Sequence, residues 1–382
     1  MLKIKTHNIP HIITLFFIVL TPILSIIFEL TSIPVPAYLF ISFVSLILII
    51  GQLNFTTFSL KISKFNLLHF IYIIYFFIAF YSLYEYYSFK APLKKMINIF
   101  YVIIIPFSII LFSTIISKPT FNLNFKNLEV LYLKYFKYSL FVFLIIYFLF
   151  REIQIDGRYI LAGLNNPIWV SRYIGGGFVI FLLYVLKNKK INYTNAFLGL
   201  FFFLCLINSG SRGPLISAII TIFVFLFKNK IKSKKLFLVS IITILFFIVY
   251  TFMDDYLSSS KGYSIYDRIN SLSLVFENIL NLKGNGLASF GRYFYGEDIN
   301  YYPHNLVAEL FFEFGLIGLL IALFLIYIVL KSYSYSLIGY FCLYAFFNSF
   351  ISGDIPGNSP LFISLIMAWF LRNNHKIDKN ES

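Results

Sequence analysis

The 382 residues are 59% hydrophobic and 12% charged, with a formal net charge of +15. This composition excludes a soluble enzyme or binding module, because one soluble core does not need so many apolar runs long enough to cross a bilayer. It also speaks against nucleic acid as a partner, since the lysines that carry the charge sit in short loops between apolar runs, where they act as orientation signals.

In chain order, apolar runs lie near residues 12–28, 37–50, 66–84, 96–112, 138–150, 168–186, 194–208, 214–227, 236–253, 304–330, 335–351 and 357–371. They lack the strict alternation of transmembrane strands. The expected fold class is therefore all-α: a polytopic integral membrane protein of about 12 transmembrane helices, one domain over 1–382. No small-residue cleavage site follows the first run, which reads as a retained span. Cys205 and Cys342 lie in apolar runs and imply no disulfide framework. If spans alternate, one set of connecting segments carries 20 cations against three acids and the other 11 against 13. That asymmetry places both termini in the cytoplasm.

The arginines follow a different rule. Six of the seven (Arg151, Arg158, Arg172, Arg212, Arg268 and Arg292) fall on the opposite, external side. Orientation does not demand this, because lysine serves it equally well. An arginine fork binds phosphate or carboxylate through two bonds and cannot be neutralised, so the pattern fits an anion-binding surface. Plainer roles exist for each. Arg212, in the hinge Ser211-Arg212-Gly213-Pro214, could snorkel to lipid head groups. Arg268 could anchor a loop helix. Arg158 precedes the turn-rich Gly163-Leu164-Asn165-Asn166-Pro167, and Arg172 lies inside the span that follows, where it could face the same cavity.

The largest external segment, about 254–303, places Ile269, Leu272, Val275, Phe276, Ile279 and Leu280 at helical spacing. This predicts a short amphipathic helix on the membrane, with Gly284, Gly286 and Gly291 closing a turn after it. Its acidic pairs, Asp254-Asp255 and Glu297-Asp298, are explained more simply as solvated helix ends than as metal ligands. No zinc-ligand spacing and no Walker, Rossmann or nucleophile-elbow pattern appears, so neither a metal nor another cofactor is expected.

Pro303-His304-Asn305 opens the next span. Pro303 suits a first helical turn, which puts His304 at a helix N-terminus. The partial positive charge there favours a neutral imidazole able to accept a proton. A lone interfacial histidine bonded to a backbone carbonyl is the plain alternative. Gly315 and Gly318 return to within about 40° of the His304 face, where small residues would let another helix approach closely. Glu309 and Glu313 lie about 140° and 180° from His304 and form a different stripe with Asn305. Buried carboxylates are expensive, so they are expected to bind another polar group or line a cavity, in a structural or a substrate-binding role.

Several of these pieces together resemble the superfamily of O-antigen ligases and O-antigen or capsule polysaccharide polymerases. They are Gly210-Ser211-Arg212-Gly213 before a span, Arg268 before a loop helix, Gly284-Asn285-Gly286 with Phe290, and His304-Asn305 followed by nine residues and Gly315-x-x-Gly318. The resemblance covers about 160–330, including the loop 254–303. It implies a metal-independent glycosyltransferase at the outer face of the bacterial inner membrane, using glycans carried on undecaprenyl pyrophosphate. Its implied partners are these substrates, membrane lipid and a chain-length regulator protein. By the same resemblance Arg212 and Arg268 bind pyrophosphate and His304 assists acceptor deprotonation. Arg158, Arg172, Asn305, Glu309 and Glu313 are the expected substrate-binding residues, with Arg158 matched only through its Asn-Pro turn. A polymerase is the leading expectation and a ligase acting on lipid A core the alternative. A polysaccharide transporter is the competitor from another class, which would place cations at the bilayer midplane and show repeats.

Overall fold

A computed structural model describes residues 9–30, 37–50, 90–116, 125–153, 159–161, 167–188, 193–229 and 261–380. Helices stand at ten of the twelve apolar runs; the other two, 66–84 and 236–253, lie outside the described residues, as do Arg158 and Asp254-Asp255. The helices are α1 (Ile9–Leu15), α2 (Thr21–Leu30), α3 (Ala37–Ile50), α4 (Lys90–Ile99), α5 (Ile105–Ile116), α6 (Phe125–Phe150), α7 (Pro167–Lys187), α8 (Tyr193–Asn208), α9 (Arg212–Asn229), α10 (Lys261–Glu277), α11 (Phe290–Tyr295), α12 (Leu306–Ser332), α13 (Leu337–Ser349) and α14 (Ser359–Asn380). A five-residue π turn, Phe100–Ile104, joins α4 to α5 without interrupting the rod. The all-helical expectation meets one small exception: β1 (Arg151–Ile153) pairs antiparallel with β2 (Tyr159–Leu161) after α6.

Among the described residues, four helical stretches are long and apolar enough to cross a membrane: Lys90–Ile110, Ile168–Lys187, Arg212–Asn229 and Leu306–Tyr335. Their outer faces expose side chains that water would not tolerate in such number, among them Phe227 at 83% and Leu320 at 56%. The chain is a membrane-embedded helical protein. At the centre lies α13, whose residues from Leu337 to Phe346 are all buried between α7, α9 and α14. Helix α7 reaches it closely because Gly175 and Gly176 present no side chain to Tyr344 and Phe341, as expected where packing rather than hydrophobicity drives helix association.

The element that positions the candidate site is α12. It is broken at Gly315, which adopts φ 57° and ψ −135°. A break in a membrane helix strands carbonyls on one side and an N–H on the other, and hydrocarbon offers them no partner. The segment after α10 supplies the partners. Asn285 N–H donates to the Phe312 carbonyl and Gly286 N–H to that of Glu313, while the Leu282 carbonyl accepts from Leu316 N–H, each at 2.9 Å. Gly315 and Gly318 were expected to admit a neighbouring helix; what approaches Gly315 is this loop. A side chain at Gly315 would collide with the Leu282 carbonyl, and one at Gly318 with the Leu310 carbonyl of the first half-helix.

The lobe 261–305 packs on the first half of α12 through a small core. Val275, Phe290 and Phe312 are buried together, with Phe294, Tyr301 and Phe311 packed around them. On α10 the expected stripe divides: Val275 turns inward, whereas Ile269, Leu272 and Phe276 remain exposed and continue into Ile279, Leu280 and Leu282. That exposed ridge runs on to Leu316, Ile317 and Leu320, the outward face of α12. Its continuity with the lipid-facing surface accords with a helix lying along the membrane.

The break gives a direct test. Gly315→Ala must carry a methyl group at positive φ into a backbone carbonyl and should cost roughly 2 kcal/mol or more. Gly296 also has positive φ (75°) but open space around it, so Gly296→Ala should cost only about 1–2 kcal/mol. Thermal unfolding in detergent compares them, and equal losses would contradict the proposed tightness of the loop at Gly315.

Candidate functional site

The loop 301–305 was expected to begin a helix at Pro303. Instead α12 starts at Leu306, and Asn305 is its cap: Asn305 Oδ1 accepts from Val307 N–H at 2.9 Å and Ala308 N–H at 3.1 Å. Asn305 Nδ2 donates to the Phe350 carbonyl at 3.2 Å. The amide is thus engaged at both ends, as helix caps are. His304 sits outside the helix in the left-handed region, φ 56°, an uncommon conformation for a side chain of this size. Its Nε2 lies 3.3 Å from the Tyr301 hydroxyl, and its ring meets Tyr302 edge-on at 4.8 Å. Nδ1 is buried without a hydrogen-bond partner.

A neutral imidazole was expected from the helix dipole. The structure gives a stronger cause. Burial lowers the His304 pKa to about 4; the Arg268 charge acts in the same direction and Asp267 opposes both. The neighbouring phenols are held protonated. Burial pushes the Tyr302 hydroxyl up to about 12, with Asp354 and Glu309 adding to the rise and Arg172 and Arg268 opposing it. Burial also raises Tyr301, helped by its bond with Tyr295. Tyr302 therefore lies where the fields of Arg172, Arg268, Asp354 and Glu309 overlap. Sequence reasoning passed over both tyrosines and Asp354, since a tyrosine in an aromatic-rich chain carries no distinguishing signal.

The arginines take different places. Arg268, half-exposed on α10, acts electrostatically on both His304 and Tyr302. Arg172 supports the turn beneath the site: its guanidinium donates to the carbonyls of Gly357 at 2.9 Å, Asn348 at 3.5 Å and Ser352. A cation there also meets the negative end of α13. Arg212 opens α9, and the absence of a side chain at Gly213 lets Ile351 pack against it. Because Asn305 holds Phe350, two consecutive residues tie the start of α9 and the cap of α12 to the same end of the bundle. Below Arg172 a cavity of about 610 Å³ opens between the helices, lined largely by apolar and aromatic groups such as Phe17, Tyr38, Phe143 and Tyr173.

Glu309 and Glu313 find their partner on α4. Lys95 Nζ lies 2.5 Å from Glu309 Oε1 and 2.5 Å from Glu313 Oε1, and all three side chains are fully buried. Glu313 Oε1 also accepts the Ala288 N–H at 2.9 Å, so the lysine ties the broken helix, the lobe and α4 at one point. The lobe returns the contact: Asp298 accepts the Lys90 N–H at 2.7 Å and that of Ala91 at 3.4 Å, capping α4. The expectation of a polar partner for the glutamates holds; the partner, Lys95, lies 214 and 218 positions away in the sequence. Two acids one turn apart on an apolar helix do call for a cation; which cation is a matter of tertiary packing. Among the described residues, no group of three or more His, Cys, Asp or Glu is placed to hold a metal ion.

Breaking a buried pair from one side leaves an uncompensated charge and typically costs about 3–5 kcal/mol. Lys95→Met should approach that loss in thermal unfolding, whereas the triple change Lys95→Met, Glu309→Leu, Glu313→Gln should recover much of it. A Lys95→Met protein as stable as the parent would refute the tie. The chain matches no family model and no curated protein.

Proposed function

We propose that the protein is a membrane glycosyltransferase which polymerises lipid-linked oligosaccharide repeat units, carried on undecaprenyl pyrophosphate, into O-antigen or capsular polysaccharide. In this reading the chain crosses the bacterial inner membrane about twelve times, both termini are cytoplasmic, and the lobe 261–305 lies outside. The observation that carries it is the pairing of a solvent-shielded, neutral His304 with the Arg268 cation in one lobe. A base within the field of an anion-binding cation is what this transfer requires.

The reaction follows from those groups. The acceptor hydroxyl attacks the anomeric carbon; its oxygen–carbon bond forms as the bond to the pyrophosphate oxygen breaks, and the bonding electrons leave with the pyrophosphate. The neutral imidazole of His304 takes the hydroxyl proton. Arg268, with Arg212 from the start of α9, holds the charge that develops on the leaving group. A ligase would use the same groups with lipid A core as acceptor.

One observation favours a transporter: broken helices with buried carboxylates are typical of such proteins, where the freed carbonyls bind a coupling ion. Here the Phe312 and Glu313 carbonyls at the break are occupied by loop N–H groups. That occupancy supports the enzyme reading over transport.

Membranes supplied with lipid-linked repeat units alone should yield a ladder of polymer lengths. A product only when core acceptor is added would identify a ligase instead. His304→Ala should abolish the ladder and Arg268→Gln should slow it about 10²- to 10³-fold; unchanged polymer in the His304 variant would end this reading. The acid limb of the pH profile should also lie near the lowered His304 value of about 4 rather than at 6.5, because the base is lost only when the native imidazole protonates. Over the same interval the unfolded chain binds a proton that the native one refuses. The native protein should therefore lose stability relative to His304→Gln as pH falls from 6.5 towards 4, which melting curves across that range would register.

A further inference from the structure

The lobe presents one more organised surface. Phe290 and Phe294 of α11 turn inward and stack at 5.7 Å, while Tyr295 at the end of the helix faces out and is 48% exposed. It is held in place. Its ring stands edge-on to Phe294 at 4.8 Å and to Tyr301 at 4.9 Å. Gly291 allows this turn to close on the Ile299 backbone, where a side chain would collide. From Tyr295 the contacts run inward through Tyr301, to Tyr302 at 6.1 Å, and from Tyr302 to His304 at 4.8 Å. Tyr301 itself touches the imidazole, at 5.6 Å between ring centres.

The outer end of this path is not suited to hydrocarbon. Tyr295 is followed by Gly296, Glu297 and Asp298, all exposed, whereas the apolar ridge of the lobe is formed by Ile269, Phe276 and Leu280. An occupant must therefore be water-soluble, offer a flat C–H face to a tyrosine ring fixed by its neighbours, and offer hydroxyls to phenols. Tyrosine is the side chain that joins an apolar face to a polar tip. A pyranose matches both halves, and the two adjacent carboxylates disfavour an acidic one. We infer that Tyr295, with Tyr301 and Tyr302 behind it, forms a stacking subsite for a neutral pyranose of the acceptor glycan, one to two sugar units from His304. The inference rests on the glycan-transfer reading for the direction in which the chain runs, but the binding itself can be measured without turnover.

Saturation-transfer NMR on the full chain in lipid nanodiscs provides the test, with methyl glycosides of glucose, galactose, N-acetylglucosamine and glucuronic acid as probes. At least one neutral glycoside should receive magnetisation on one C–H face, and the glucuronide should receive less. Tyr295→Ala should lose the effect and Tyr295→Phe keep it. Tyr293→Ala should also keep it, since Tyr293 is equally exposed (52%) but stands on Phe312 away from the path. In turnover, Tyr295→Ala should raise KM for the lipid-linked unit roughly tenfold at unchanged kcat. Absence of face-selective transfer from every neutral glycoside, or its persistence in Tyr295→Ala, would overturn the subsite. If the sugar signals behave as expected while His304→Ala still polymerises, the subsite stands and the catalytic assignment falls.

Discussion

In hydrocarbon a backbone N–H or carbonyl without a partner has nowhere to turn, and the architecture around the candidate site follows from meeting that requirement at one glycine. Gly315 interrupts α12, and the segment 282–286 fills the interruption with three backbone hydrogen bonds. The repair is reciprocal. The loop gains a fixed geometry that its polar composition would not give it, and the half-helix 306–314 gains an orientation independent of the span that follows. Everything attached to either side, from the Asn305 cap to the small aromatic core of the lobe, inherits its position from that junction.

The ionic tie at Lys95 depends on the same junction. Glu313 contributes its backbone carbonyl to Gly286 and its side chain to both Lys95 and Ala288. A single residue thus couples the break, the lobe and α4. Such a cluster gains little net energy over an apolar core of the same shape. What it supplies is register: only one rotation of the half-helix about its axis brings both carboxylates to one ammonium. With that rotation set, His304 and Tyr302 are held just before α12, within the electrostatic reach of Arg268.

The electrostatic character of the site arises from crowding rather than from a helix end. His304 lies outside α12 in a left-handed conformation, screened by Tyr301 and Tyr302. The expected outcome, a neutral imidazole, is the one the structure yields, but through burial and the Arg268 charge. A similar reversal applies to Gly315 and Gly318. Both residues mark a close approach, yet Gly315 meets the loop at Leu282 and Gly318 meets the first half-helix at Leu310, and helical periodicity announced neither partner.

Apolar runs, their helical character and the unusual weight of the polar segment at about 254–303 were legible in the sequence because they follow from local composition: each residue's preference for hydrocarbon or water is its own. So was the presence of two costly carboxylates at 309 and 313, and of a histidine where a span begins. The pairing of Lys95 with those carboxylates, the commitment of Arg172 to the carbonyls of the 348–357 turn, and the path of tyrosines leading to His304 were not. They join residues separated by as many as 218 positions. Hydrogen bonds and ion pairs of this kind are properties of distance in space, and only the packed chain sets that distance.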